Sequence, residues 1–250
     1  MGKPILSVVT IVYNNVRDIA YTLRSVTQQT YPHIQYIVVD GLSNDGTMEV
    51  IQGFADKIDI LISEKDKGIY DAMNKGLKQA TGDYIIFINS GDEFMDDNTV
   101  ANVFSCAEDA DIYYGETKLI AEDRTILGDR RHKTPEAFTW RSFSRGMNIC
   151  HQAIYIKRSL APTYDTQYQL SADIDWVIKS AKKAKKIVNT QQYVARYLVG
   201  GMSQKRHRQS LKERYEIFKK HYGLIPNFFN HLFIGLRLVF QRLKNGKTQD

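Results

Sequence analysis

The amino-acid sequence predicts an α/β fold: a Rossmann-like, mostly parallel central sheet with helices on both faces. Three observations predict it. Short runs rich in Val and Ile alternate with segments of helical period through the first half of the chain. Each of these runs is followed by polar or acidic residues, which is where open α/β sheets bind ligands. The run Tyr84–Ile88 shows no polar alternation, as in a strand buried on both faces.

The elements follow in order. Ile5–Val12 reads as the first strand, and Val16–Gln29 as a helix with Ile19, Leu23 and Val26 on one face. Ile34–Val39 is the second strand, ending at Asp40. Asn44–Phe54 reads as a helix with Asn44 as its N-cap. Ile58–Ile62 is a third strand that runs out towards Glu64 and Asp66. Gly68–Ala80 is helical, with Tyr70, Asp71, Asn74 and Lys75 in its early turns, and Tyr84–Ile88 is the fourth strand. Beyond Asp92 the rhythm changes. Asp97–Cys106 is helical; Asp111–Gly115, Glu116–Ala121, Arg124–Gly128 and Ala153–Ile156 read as short strands. Thr134–Arg145 is mixed and polar, Ala172–Lys185 is a helix, and Ile187–Leu198 is a long β-like stretch. This organisation predicts one unit over residues 1–203, with a nucleotide half (1–115) and an acceptor half (116–203).

Residues 204–250 differ in kind. They hold 11 Lys/Arg against 3 Asp/Glu, whereas residues 1–203 hold 23 against 25. The basic character is therefore a property of the tail, which argues against a nucleic-acid-binding body and for a tail that meets an anionic surface. Ser210–His221 reads as a basic helix stopped by Pro226, and Asn227–Leu243 as an amphipathic one with Phe228, Phe229, Leu232 and Phe233 on its apolar side. Cys106 and Cys150 form no CxxC pair and no Cys/His cluster, which fits a reducing cytoplasm and argues against a disulfide framework or a zinc site. The N-terminal run lacks a signal-peptide pattern, and no stretch reaches the roughly 18 apolar residues of a membrane span.

The chemistry gathers at four strand ends. The first carries Thr10, Tyr13 and Asn14; the second carries Asp40, then Ser43 and Asp45; the third leads to Asp66; the fourth leads to Asn89, Ser90, Gly91 and Asp92. In a parallel sheet these ends share one edge, so the polar groups converge. An acidic residue after the second strand suits a nucleoside, whose hydroxyl and base N–H groups are donors. Asp45 in SNDGT also suits a turn or helix cap. No GxGxxG follows the first strand and no GxxxxGK[ST] occurs, so dinucleotide redox enzymes and P-loop NTPases are poorly supported. Phosphates then call for another neutralising group, and a divalent cation, Mg²⁺ or Mn²⁺, on Asp92 meets that need.

The stretches SVVTIVYNN, VVDGLSNDGT, EKDKGIYDAMNKG and GDYIIFINSGDE, so spaced, resemble a family 2 glycosyltransferase of the GT-A fold. More narrowly they are similar to bacterial enzymes of capsule, exopolysaccharide or lipopolysaccharide assembly. CHQAIY (Cys150–Tyr155) and LSADIDW (Leu170–Trp176) extend the resemblance. It implies an inverting, hexosyl-type transfer from a nucleotide-sugar, usually a UDP-sugar, to a glycan or lipid-linked acceptor. Thr10, Tyr13 and Asp40 would meet the nucleoside, with Asp45 near it; Asn14, Asn89 and Ser90 would also bind the donor, and Asp71 would approach it. Asn89–Asp92 stands where the family has its DxD metal motif, with Asn89 in place of the first Asp and Gly91 at the third position. Asp173 matches the general base, Ala172 replacing the Glu before it, and His151 would contact the acceptor or ligate metal. Lys205, Arg206 or His207 would help the departing diphosphate. The QxxRW motif of processive synthases is missing, which favours addition of one sugar. A lipid-linked acceptor would place the enzyme on the inner face of the cell membrane, held by the basic tail.

Inverting transfer needs a base for the acceptor hydroxyl and positive charge at the leaving diphosphate. Two other readings stay open on these residues: a sugar nucleotidyltransferase, and a non-catalytic interaction protein with a degenerate transferase fold. The first calls for a glycine-rich, Arg/Lys-containing loop after the first strand, where IVYNNVRD stands. The second draws on the loss of the first motif Asp.

Overall fold

Along β1 (Leu6–Val12) successive side chains serve two different cores: Leu6 and Val8 pack into one, Val9 and Ile11 into the other. That is the period-two alternation of a strand buried on both sides. The computed structural model describes residues 2–130, 133–145, 149–200 and 206–230. β2 (Ile34–Asp40), β3 (Ile60–Ser63) and β4 (Tyr84–Phe87) complete a parallel group with β1. One core lies under α1 (Ile19–Thr27), α2 (Thr47–Gln52) and α4 (Thr99–Ser105); the other lies under α3 (Ile69–Gln79), α5 (Ala172–Lys183) and α6 (His207–Tyr222).

The sheet continues through β5 (Glu93–Phe94), β6 (Ile112–Ile120), β7 (Ile126–Asp129), β8 (Ile154–Lys157) and β9 (Ile187–Leu198) in the order β3-β2-β1-β4-β8-β6-β9-β5, with β7 on β6. β8 runs antiparallel to β4 and β6, β5 to β9, and β7 to β6, while β9 is parallel to β6. The sheet is thus parallel in the first half and mixed in the second.

Close contact between α3 and β1 depends on Gly76. A Cβ there would lie 2.4 Å from Val9 Cγ1, inside any real contact, so a side chain would push the helix off the strand. The aromatic ladder Tyr70–Tyr164–Trp176, with ring centroids 5.4 and 5.0 Å apart, locks the start of α3 to α5.

Several expected boundaries move. The second helix starts at Thr47, not Asn44, because Gly46 sits at φ +96° and Asp45 turns the chain by accepting Thr47 N–H. The two short strands expected on either side of Gly115 are one strand, β6. The basic helix ends at Gly223, at φ +86°, and Pro226 lies within the next helical segment, 224–230. The rest of the amphipathic helix expected to Leu243 lies outside the described residues. Both cysteines are free. Among the described residues, no helix is long and apolar enough to cross a membrane.

Candidate active site

The loops after β1 and β2 are knitted together at the carboxyl edge of the parallel strands. Asn14 N–H donates to Ser43 Oγ at 2.8 Å and Asn14 Oδ1 accepts Asn44 N–H at 2.9 Å. Asp45 accepts Val16 N–H at 3.1 Å and the Thr47 hydroxyl at 2.5 Å; these bonds, the Thr47 one foremost, hold its carboxyl below the usual range. Asn14 and Asp45 therefore shape the rim. Asp40 is fully buried, accepting from Ser43 N–H and, at 2.8 Å, from the Ser63 hydroxyl. Tyr13 is exposed and packs beside Gly41. Thr10 is fully buried, with its hydroxyl on Ile88 O at 2.8 Å and beside Tyr36 OH.

Lys75 gathers the acidic residues of the third loop. Its ammonium lies 2.6 Å from Asp66, 3.0 Å from Glu64 and 3.7 Å from Asp71. Asp71 also accepts Lys67 N–H at 3.0 Å, so it steadies the entry to α3.

The turn after β4 is held from three sides. Ser90 Oγ accepts from Asn15 Nδ2 at 2.9 Å, and Gly91 N–H donates to Thr22 Oγ1 at 2.9 Å. The guanidinium of Arg124, from the β6–β7 hairpin, donates to Gly91 O at 2.8 Å and pairs with Asp18 and Glu93. Asp92 is buried, and each of its oxygens has a partner: Gln152 Nε2 at 2.6 Å and Leu198 N–H at 3.0 Å. Burial pushes its carboxyl up to about 6 against the pull of these donors.

From this turn a chain of contacts leads to the second half. Asn89 Nδ2 lies 3.3 Å from His151 Nε2, His151 Nδ1 lies 3.4 Å from Asp173 Oδ2, and Tyr70 OH donates to Asp173 Oδ1 at 3.0 Å. A neutral imidazole with its proton on Nδ1 satisfies both neighbours. Burial acts to raise the Asp173 carboxyl, but His151, Arg214 and Tyr70 outweigh it and hold it below the ordinary carboxylate range. Asp173 is therefore ionised at neutral pH. Asp175, on the other side of α5, accepts from His221 at 2.8 Å and pairs with Lys179 and Lys220.

A divalent cation that bridges phosphates needs only one or two protein oxygens. Asn89 Oδ1 is buried with no hydrogen-bond partner, an oxygen of the right hardness at the right turn. Among the described residues no cluster of three or more His, Cys, Asp or Glu could hold a metal unaided.

The model of the family described as glycosyl transferase family 2 matches residues 7–161. The chain belongs to glycosyl transferase family 2. A PGL/p-HBAD biosynthesis glycosyltransferase of Mycobacterium bovis (strain BCG / Pasteur 1173P2) is 30% identical over 188 residues, covering 72% of this chain and 70% of that protein. A putative teichuronic acid biosynthesis glycosyltransferase, TuaG of Bacillus subtilis (strain 168), is 32% identical over 142 residues, covering 55% and 56%. Among solved structures, S. aureus TarS 1-349 in complex with UDP has TM-score 0.65 at 18% identity; the match covers 86% of this chain and 64% of that one. The mannosyltransferase PcManGT from Pyrobaculum calidifontis, in complex with GDP-Man and Mn²⁺, has TM-score 0.66 at 18% identity, covering 94% and 70%. These likenesses establish the GT-A fold. The protein is a family 2 glycosyltransferase.

Tyr70, Gln152, Arg124 and Arg214 neighbour the candidate residues Asp173, Asp92 and Gly91 although the sequence reading assigned them no role. Of the three tail cations expected at the diphosphate, Lys205 and the His207 side chain lie outside the description, and Arg206 is spent on Gln169 and Gln209.

Proposed function

We propose that this family 2 enzyme transfers one sugar, with inversion, from a UDP-sugar to a glycan or lipid-linked acceptor of surface polysaccharide assembly. The observation that carries the reading is Asp173: a half-buried, ionised carboxylate fixed by Tyr70 and His151, one imidazole away from the Asn89 turn. Asp40 and Tyr13 receive the nucleoside, and the Asn89–Asp92 turn receives the diphosphate. Asp173 takes the proton of the acceptor hydroxyl as its oxygen attacks the anomeric carbon and the bond to the diphosphate breaks. His151 keeps the carboxylate aimed at that hydroxyl and lines the acceptor side. Asn89 and Asp92 would hold Mg²⁺ or Mn²⁺, which supplies positive charge to the leaving group.

Support comes from the relatives. TarS was solved with UDP and with UDP-GlcNAc, and PcManGT with GDP-Man and Mn²⁺. TuaG is named for teichuronic acid biosynthesis. A lipid-linked acceptor agrees with a basic tail at an anionic membrane surface.

The test is transfer of labelled sugar from UDP-, GDP- and TDP-sugars to an acceptor-containing membrane extract, with Asp173→Asn as control. A general base contributes about 10²–10⁴-fold to the rate, and the variant should lose that much of kcat with nucleotide affinity retained. Full turnover by Asp173→Asn removes the assignment.

A further inference from the structure

α6 is seated on the residues that lead into α5. Ser210 and Ser171 place their hydroxyls 3.2 Å apart, and Glu213 accepts the N–H groups of Gln169 at 3.1 Å and Leu170 at 2.8 Å. Arg214 follows Glu213 directly and lies one helical turn beyond Ser210, so α6 carries it to the start of α5, where Asp173 stands.

Arg214 has no assigned task within the fold. Its Nε is buried with no hydrogen-bond partner, and it forms no ion pair among the described residues. Lys75 is paired with Glu64, Asp66 and Asp71, and Arg124 with Asp18, Glu93 and Gly91 O. Asp173 is itself taken up by Tyr70 and His151. The positive charge of Arg214 still reaches Asp173 and favours its ionised form. A guanidinium that gives up water at Nε and finds no acceptor among the described residues suits an acceptor from outside the chain.

We propose that Arg214 is a binding residue for an oxyanion of the substrates, docked on the α6 side of Asp173. The inference rests on Asp173 marking the reaction cleft. A guanidinium fork matches phosphate and carboxylate alike. The anion is either the departing diphosphate or an acidic group on the acceptor, and two binding arms separate them.

Calorimetry with the full chain and Mn²⁺ measures UDP and uridine in one arm. The other arm measures inorganic pyrophosphate added to UDP-saturated protein. If the diphosphate is the ligand, Arg214→Gln weakens UDP at least tenfold and leaves uridine unchanged. If the ligand is an acceptor anion, UDP is unchanged and pyrophosphate uptake by the saturated protein falls at least tenfold. Arg214→Lys, which keeps charge and loses the fork, should retain part of either affinity, and it serves alone if Arg214→Gln does not fold. Wild-type affinities for both probes in a folded Arg214→Gln, or in Arg214→Lys where that variant stands alone, overturn the proposal. Asp173→Asn is measured alongside: retained turnover there sinks the general-base reading while the Arg214 binding result stands.

Discussion

Asp92 and Gln152 are joined by a 2.6 Å hydrogen bond that ties the turn after β4 to the residues before β8. With Leu198 N–H on its other oxygen, Asp92 holds three segments together while standing where a cation and diphosphate are expected. Two variants separate these roles. Gln152→Met removes one bond to a charged group and should cost about 1.5–3 kcal/mol of stability, with nucleotide affinity still dependent on Mn²⁺. Asp92→Asn should also lower the melting temperature, and should abolish the Mn²⁺ dependence. Calorimetry of UDP with and without Mn²⁺ checks this, and an unaltered Mn²⁺ dependence in Asp92→Asn means Asp92 is a structural tie only.

Arg124 reaches the same turn from the opposite direction. Besides Gly91 O, Asp18 and Glu93, it stacks on Tyr21 with its guanidinium carbon 4.1 Å from the ring centroid, and the neighbouring pair Arg17–Glu122 fastens the same hairpin to the start of α1. Removing it strands the mostly buried Asp18 and leaves Glu93 with Arg196 alone, so Arg124→Ala should lose about 3 kcal/mol, the low end for breaking a buried pair. Nucleotide binding should weaken with it, because the Asn89–Asp92 turn loses its outer brace. Arg124→Lys should recover only part. An unchanged urea midpoint for Arg124→Ala shows that the hairpin rests on the turn without holding it.

The parallel strands were legible because each Val/Ile run ends abruptly in polar residues. The mixed half was less so. Gly115 looks like a turn between two strands, yet β6 runs straight through it with a shifted register, since a Cβ there would lie 2.6 Å from Gln192 O and 2.7 Å from Thr190 Oγ1. The glycine marks a close approach to β9, which sequence spacing cannot distinguish from a break. Asp40, Asn89, His151 and Asp173 stood out by position after a strand or by motif. Tyr70, Gln152 and Arg124 did not, because their partners lie 103, 60 and 33 residues away and local pattern carries no trace of them.

Asp175 sets a pH dependence of stability. Burial opposes its ionisation, but His221, Lys179 and Lys220 prevail and hold the carboxyl well below the ordinary range. A depressed folded value means that its contribution is complete above the unfolded value of about 3.9 and is lost as pH falls further. Asp175→Asn should therefore be less stable than wild type at pH 7, by about 2 kcal/mol for lost bonds to charged groups. The two stability curves should draw together as pH falls from about 3.9 towards the depressed folded value, where the wild-type carboxylate also loses its charge. Because Asp175 is taken up by His221, Lys179 and Lys220 where α5 meets α6, kcat should change far less than in Asp173→Asn. Parallel curves down to acid pH would show that Asp175 is not the titrating group.

The helical segment 224–230 bears on membrane attachment. Leu224, Ile225, Phe228 and Phe229 are 58%, 71%, 59% and 63% exposed, a concentration of apolar surface that water alone does not favour. Asn227, fully buried, anchors the segment to α6 through Tyr215 O at 3.1 Å, which leaves the apolar side chains outward. α6 beside it carries Lys212, Lys219 and Lys220. An anionic bilayer offers both a sink for the aromatic rings and about 1 kcal/mol for each Lys or Arg near its surface. The full chain should float with phosphatidylserine-containing vesicles and stay behind with phosphatidylcholine alone, and added salt should weaken the association. Ile225→Asp with Phe228→Asp should reduce vesicle binding at least tenfold without altering UDP affinity, since neither residue belongs to the cleft. If the double variant floats as well as the parent, the exposed segment is not the membrane contact.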